Sequence, residues 1–344
     1  MKSYKFASII TIIASLFVGT LASNFKAQAN STSTSIFAPG WIQIGSDPTM
    51  ARRGMAVAYD SDRKVIVMFG GFRWNDGNEI VDDETWEFDG EAWQQITTTH
   101  TPTARHWHSM TYDAKRKVVV LFGGTNEGQY PDETWEYNGT DWIQVSTAHS
   151  PGGRVGFGMV FDTCREKIVV YGGGEYPKGT WEYDGIDWVD AAPADNPGSR
   201  YMVSMAFDSA RCRTALFGGD IGGATGDNQT WEYDGVNWTQ ITTTISPPAR
   251  WGGAMAYDLN RETIVLFGGY GPAWPSGTDL GDTWEYDGIN WIETTPAISP
   301  SPREQHIIAF EGHSNKMLLF GGFGSGETWL YGTIGRLYLP MVGK

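Results

Sequence analysis

The sequence predicts an all-β fold, a six-bladed β-propeller of four-stranded blades whose ring is closed by a strand from the N-terminal end. Three observations carry this. Gly-Gly pairs recur six times, at Gly70-Gly71, Gly123-Gly124, Gly172-Gly173, Gly218-Gly219, Gly268-Gly269 and Gly321-Gly322, each at the end of a β-rich run such as Val65 to Phe69. The chain is rich in Gly (44) and Trp (16) and only 19% charged, which fits neither a helical nor a disordered protein. The spacing between successive repeats is 46 to 53 residues, the size of one four-stranded propeller blade.

Each repeat opens with an Arg: Arg52, Arg105, Arg154, Arg200, Arg250 and Arg303. Spacing from the following acid selects Arg52 rather than Arg53 in the first repeat. A strand alternating small and large side chains follows, with Met and an aromatic as the large pair (Met110 and Tyr112, Met205 and Phe207), as expected where both faces are buried. An acid then marks a hairpin: Asp60, Asp113, Asp162, Asp208, Asp258 or Glu311. The second strand ends at Gly-Gly, where a side chain would block a close backbone approach. The third is Thr-Trp-Glu-Tyr or a variant, and Asp-Gly or Asn-Gly turns the chain into the fourth. The fourth begins with a second Trp: Trp93, Trp142, Trp188, Trp238 and Trp291. The sixth repeat lacks that Trp, and Trp41-Ile42-Gln43-Ile44 supplies the matching segment from the other end of the chain. Pairing it with the last blade removes an exposed edge. The repeat Arg residues occur in every blade. They are therefore expected to be structural, bonding backbone carbonyls or strand-three carboxylates such as Glu136.

The Gly-Gly doublet, the aromatic at Phe88, Tyr137, Tyr183, Tyr233 and Tyr286, and the second Trp at fixed spacing resemble the kelch-repeat family, over essentially all of Trp41 to Tyr331. The resemblance implies ligand recognition through loops on one propeller face. It extends to galactose oxidase at the level of the blade. The copper chemistry of that enzyme needs a Tyr–Cys cross-link, and Cys164 and Cys212 sit in first hairpins, away from the variable loops. No cofactor and no metal is therefore expected. Exported six-bladed kelch proteins also include N-acetylneuraminate epimerases, and by that resemblance Arg53 or Arg73 would receive a sialate carboxylate.

Residues 1–29 read as a signal peptide: Lys2 and Lys5, an apolar run from Phe6 to Ala22, and Ala27-Gln28-Ala29 as a cleavage site. Residues 30–40 read as a Ser/Thr-rich linker, 41–334 as the propeller and 335–344 as a short tail. The protein is expected to be secreted, periplasmic or on the cell surface, with no membrane insertion once the signal is removed, and to be a monomer. A net charge of −15 argues against nucleic acid as a partner. The expected partner is an extracellular glycan or protein. Cys164 and Cys212 lie in adjacent blades, either bridged or as two free thiols.

The connections from Gly-Gly to Thr-Trp vary most, from 7 to 15 positions, so specificity is expected there. They hold Arg73, Trp74, Asp76, Tyr130, Tyr176, Asp220, Asp227, Tyr270, Trp274 and Asp279. Residues just after each repeat Arg add Arg53, His106, Trp107, His108, Tyr201, Trp251, Glu304 and His306 at the channel mouth. Aromatic rings beside carboxylates suit a polyol, which offers apolar C–H faces and hydroxyl donors. Arg53 and Arg73 fall outside the repeat pattern and are the candidates for an anionic group. His106 and His108, two apart on a strand, are expected to share a face, with His306 in the register of His108. They read as polar residues at a wet mouth rather than as metal ligands. The candidate functions are thus a binding module, a sugar-modifying enzyme, and a structural or adhesive surface protein.

Overall fold

The computed structural model describes residues 38–75, 77–174 and 179–334. The stretch read as a signal peptide, most of the expected linker, Asp76, Tyr176 and residues 335–344 lie outside the described residues. Six four-stranded antiparallel sheets follow one another in chain order, each with its first strand innermost. In blade two the strands are Ser109–Asp113, Val118–Phe122, Thr134–Tyr137 and Trp142–Val145. Among the described residues no helix is long and apolar enough to cross a membrane.

The ring closes as the displaced Trp implied. Pro39–Ser46 pairs antiparallel with Glu327–Thr333, with Trp41 opposite Tyr331. This strand opens at Pro39, so its first two residues come from the stretch read as linker. Trp41 is 1% exposed and packs on Phe267 of blade five. Blade six is therefore built from both ends of the propeller segment.

The repeated residues bind blade to blade. In the first hairpin the acid caps the turn. Asp113 Oδ1 accepts the Lys115 and Arg116 N–H groups, and its Oδ2 accepts from the Arg116 guanidinium. Arg116 also pairs with Glu136 in strand three, and that carboxylate accepts from the Tyr183 hydroxyl of the next blade. Glu136 thus belongs to the hairpin Arg, not to the repeat Arg as its charge had suggested. The side chain of the repeat Arg105 instead reaches the Gly123 carbonyl at 3.1 Å and Glu133, just before strand three, at 3.0 Å. The Arg105 carbonyl accepts the Gly71 N–H of the preceding blade at 2.9 Å, and the same bond recurs in the other five blades, Arg52 filling the role for blade one. Gly70 has φ +63°, and a Cβ there would lie 2.5 Å from the Arg105 carbonyl oxygen, so the doublet is required both by conformation and by space. Cys164 and Cys212 form a disulfide joining the first hairpins of blades three and four, with Cα atoms 5.9 Å apart.

Candidate functional site

In four of the six blades the first residue after the repeat Arg forms an irregular bridge to the residue following the Gly-Gly pair: Arg53 to Phe72, His106 to Thr125, Tyr201 to Asp220, Trp251 to Tyr270. These bridges hold the mouth residues on the variable-loop face. The second residue after each Arg is left-handed in all six blades: Gly54, Trp107, Gly156, Met202, Gly252 and Gln305, with φ between 52° and 65°. Their peptide groups form a closed cycle. Trp107 N–H donates to the Gly54 carbonyl (2.7 Å), Gly156 to Trp107 (2.9 Å), Met202 to Gly156, Gly252 to Met202 (2.9 Å), Gln305 to Gly252 (2.8 Å) and Gly54 to Gln305 (3.2 Å).

Glycine alternates with a larger residue around this cycle, and each larger side chain lies over the glycine of the preceding blade. A Cβ on Gly54 would come within 2.9 Å of the Trp107 ring, one on Gly156 within 3.2 Å of the Met202 sulfur, and one on Gly252 within 3.9 Å of Gln305 Cγ. Trp107 Nε1 then donates to Gln305 Oε1 at 3.1 Å, spanning blade one. Indole, thioether and amide thus floor the mouth. Below them, a channel space of about 210 Å³ is lined by the innermost strands of all six blades.

The left-handed Trp107 breaks the strand that was expected to carry His106 and His108 on one face. His106 stays at the mouth, its ring 4.7 Å from Phe72 and 4.4 Å from Trp107. His108 and His306 drop below the cycle and pack edge-on against Phe69 and Phe267 of the preceding blades. Burial holds all three well toward the neutral form, aided by the neighbouring Arg53 for His106 and by Arg105 and Arg303 for the others. His106 is pushed down to about 4 and His306 to about 3. Among the described residues no three His, Cys, Asp or Glu side chains are grouped as metal ligands.

The two non-repeat arginines part company. Arg73 is engaged by Asp82, with Nε at 3.2 Å and Nη2 at 3.0 Å from Oδ1. Arg53 makes no ion pair among the described residues. Its guanidinium lies between the Phe72 and Phe323 rings, 4.6 Å from each centroid. Burial lowers its pKa, against the pull of Glu304, Glu79 and Asp279. Glu304 is pushed up to about 7 by burial and by the Asp279 charge, with Arg53 opposing. Burial also raises Asp279.

Other loop acids are consumed by structure: Asp220 Oδ1 accepts the Gly222 and Thr225 N–H groups, and Asp227 pairs with Arg200 at 2.8 Å. Trp74 is 60% exposed on a two-stranded ribbon, Phe72–Asn75 with Asn78–Val81. Tyr130 is exposed in blade two.

Several buried polar atoms of the described residues lack hydrogen-bond partners, and four of them gather at the mouth: Arg53 Nε, His106 Nδ1, Trp251 Nε1 and Glu304 Oε2. All four side chains occupy one register position, immediately after the repeat Arg, in blades one, two, five and six. Blades six and one are neighbours around the ring, so these four form a continuous arc. The arrangement presents donors, an acceptor and a carboxyl group that changes protonation near neutrality, walled by aromatic rings. Groups of this kind can hydrogen-bond hydroxyl and carboxyl groups.

No protein-family model and no curated protein sequence matches the chain. Among solved structures it is similar to YjhT, with a TM-score of 0.61 and 15% identity, over 84% of this chain and 95% of that one. At that identity, the likeness to YjhT is one of fold, and this chain is a β-propeller.

Proposed function

We propose that the protein is an exported, kelch-type binding module that recognises a polyhydroxylated ligand, a glycan, at the mouth formed by Arg53, His106, Trp251 and Glu304. The observation that carries this reading is the gathering of four unpartnered buried polar atoms at one register position around the mouth. Leaving such a group unpaired costs about 1–3 kcal/mol each, a cost a ligand's hydroxyls and carbonyls recover. The rings of Trp107 and Trp251 supply apolar surface beside them, with the buried Phe72 packed edge-to-face against Trp107. The disulfide supports an oxidising compartment.

A glycan array probed with the secreted form tests the reading, with Arg53→Ala and Trp251→Phe as controls. Trp251→Phe keeps an aromatic ring, though a smaller one, and deletes the N–H donor. Selective binding lost in both variants is the expected result, and binding indifferent to both sinks the assignment of the site.

A second reading, a sugar-modifying enzyme, is favoured by one feature. Glu304 titrates near neutrality beside a cation and can serve as a general acid or base. Solvent deuterium appearing at a carbon of a bound sugar would select this reading over the binding module.

A further inference from the structure

Trp274 is 63% exposed, yet it is held at every side of its loop. Its backbone N–H donates to the Ala224 carbonyl of blade four at 3.0 Å, and Gly226 N–H donates back to the Pro272 carbonyl at 2.7 Å. Thr225 and Ala273 form a bridge between the same two loops. Prolines at 272 and 275 flank the segment and restrict its backbone further. Beneath the indole sits Tyr270, 8% exposed, with its hydroxyl donating to the Gly277 carbonyl at 2.8 Å. Tyr270 lies 5.7 Å from Trp274 on one side and 5.2 Å from Trp251 on the other. A buried tyrosine therefore braces two indoles, one at the polar mouth and one on the rim.

A solvent-facing aromatic ring on a loop whose backbone is anchored adds little to the core, and covering it by a ligand removes apolar surface from water. The mouth ring keeps a buried N–H without a partner, whereas the rim ring is largely open to solvent. The two positions thus differ in chemistry: hydrogen bonding at Trp251, apolar face contact at Trp274. On these grounds, and resting on the glycan reading above, we infer that the ligand is a linear oligosaccharide. One sugar residue is held by the polar groups of the mouth, and the chain runs outward over blade five so that a later residue lies on the Trp274 face. Tyr270 is the positioning residue of this outer subsite.

The test is a titration of homologous series, one to six residues long, of glucose, mannose, N-acetylglucosamine and galacturonate oligomers, against the wild type, Trp274→Ala and Trp274→Phe. In the series that binds, affinity is expected to rise about tenfold or more from the monosaccharide to the trisaccharide or tetrasaccharide. Trp274→Ala removes that rise and leaves the monosaccharide affinity unchanged, while Trp274→Phe keeps most of it. Affinity independent of length in the wild type, or an equal loss for monomer and oligomer in Trp274→Ala, overturns the outer subsite and leaves the glycan reading standing. Absence of binding to all four series, with the glycan array also blank, overturns both.

Discussion

The indole N–H of Trp142 donates to the Thr85 hydroxyl of the preceding blade, 2.9 Å away, and the bond is buried. The same bond joins Trp188 to Thr134, Trp238 to Thr180, Trp291 to Thr230 and, across the closure, Trp41 to Thr283. Trp93, at the seam between blades six and one, has no partner for its Nε1. The seam differs in two further residues. Phe88 stands where the other blades have Tyr, and Leu330 where they have the Glu that accepts from it, so an apolar cluster replaces the polar latch.

That contrast predicts unequal costs for one substitution. Trp142→Phe loses a buried hydrogen bond and strands the Thr85 hydroxyl, so it is expected to destabilise by about 1–2 kcal/mol more than Trp93→Phe. Equilibrium urea unfolding of the two variants compares them directly, and equal losses would contradict the bonding pattern.

Removing the closing strand by deleting residues 38–45 is expected to unfold blade six and lower the stability of the whole ring, because Leu330 and its neighbours become an open edge. Trp41→Ala alone is expected to cost about 3–5 kcal/mol, as for other fully buried aromatic truncations. Unchanged thermal melting of the deletion variant would exclude closure by this segment.

The buried histidines predict acid lability. His106, His108 and His306 bind protons less readily in the folded than in the unfolded chain, so their contribution is fully present above the unfolded value of 6.5. It is lost as pH falls from there toward about 4, where His106 titrates. Each contributes a slope of up to about 1.4 kcal/mol per pH unit. Glu304, raised to about 7, opposes this with the opposite sign between about 7 and its unfolded value of 4.5. Three groups outweigh one, so stability falls on acidification. Blade one carries Met55 at the position of His108 and His306. The double variant His108→Met with His306→Met is therefore expected to fold and to show a flatter stability profile between pH 7.5 and 5. A profile as steep as the wild type's would reject the assignment.

Gly54→Ala places a Cβ against the Trp107 ring at φ +65°. A loss of about 1–3 kcal/mol is expected, together with displacement of the indole from the mouth. Trp107 fluorescence, isolated by comparison with Trp107→Phe, reads the displacement. An unaltered emission spectrum in Gly54→Ala would show that the ring does not rest there.

For the disulfide, peptide mapping of non-reduced protein is expected to yield Cys164 linked to Cys212. The Cys164→Ser, Cys212→Ser variant is expected to lose about 2–4 kcal/mol. Two alkylatable thiols in protein recovered from an oxidising compartment would refute the link.

The blades are encoded in local spacing. Gly-Gly, Thr-Trp, the turn acids and the displaced Trp41 recur at fixed spacing, and each acts through contacts within its own blade or with the adjacent one. Periodicity alone therefore located all six repeats and the strand that closes them. The mouth residues Arg53, His106, Tyr201, Trp251 and Glu304 were legible for the same reason, as the position after each repeat Arg. Which of Arg53, His106, Trp251 and Glu304 keep an unpaired polar atom depends on contacts between blades. Asp82 claims Arg73, the Asp220 carboxylate folds onto its own loop, and His108 falls beneath the mouth because Trp107 turns left-handed. The alternation of Gly54, Gly156 and Gly252 with Trp107, Met202 and Gln305 was equally hidden. Those residues lie about a blade apart in sequence and meet only around the axis, where each side chain rests on a glycine contributed by another repeat. Spacing along the chain encodes what a blade does for itself. The chemistry of the mouth depends on contacts between residues that no local spacing relates.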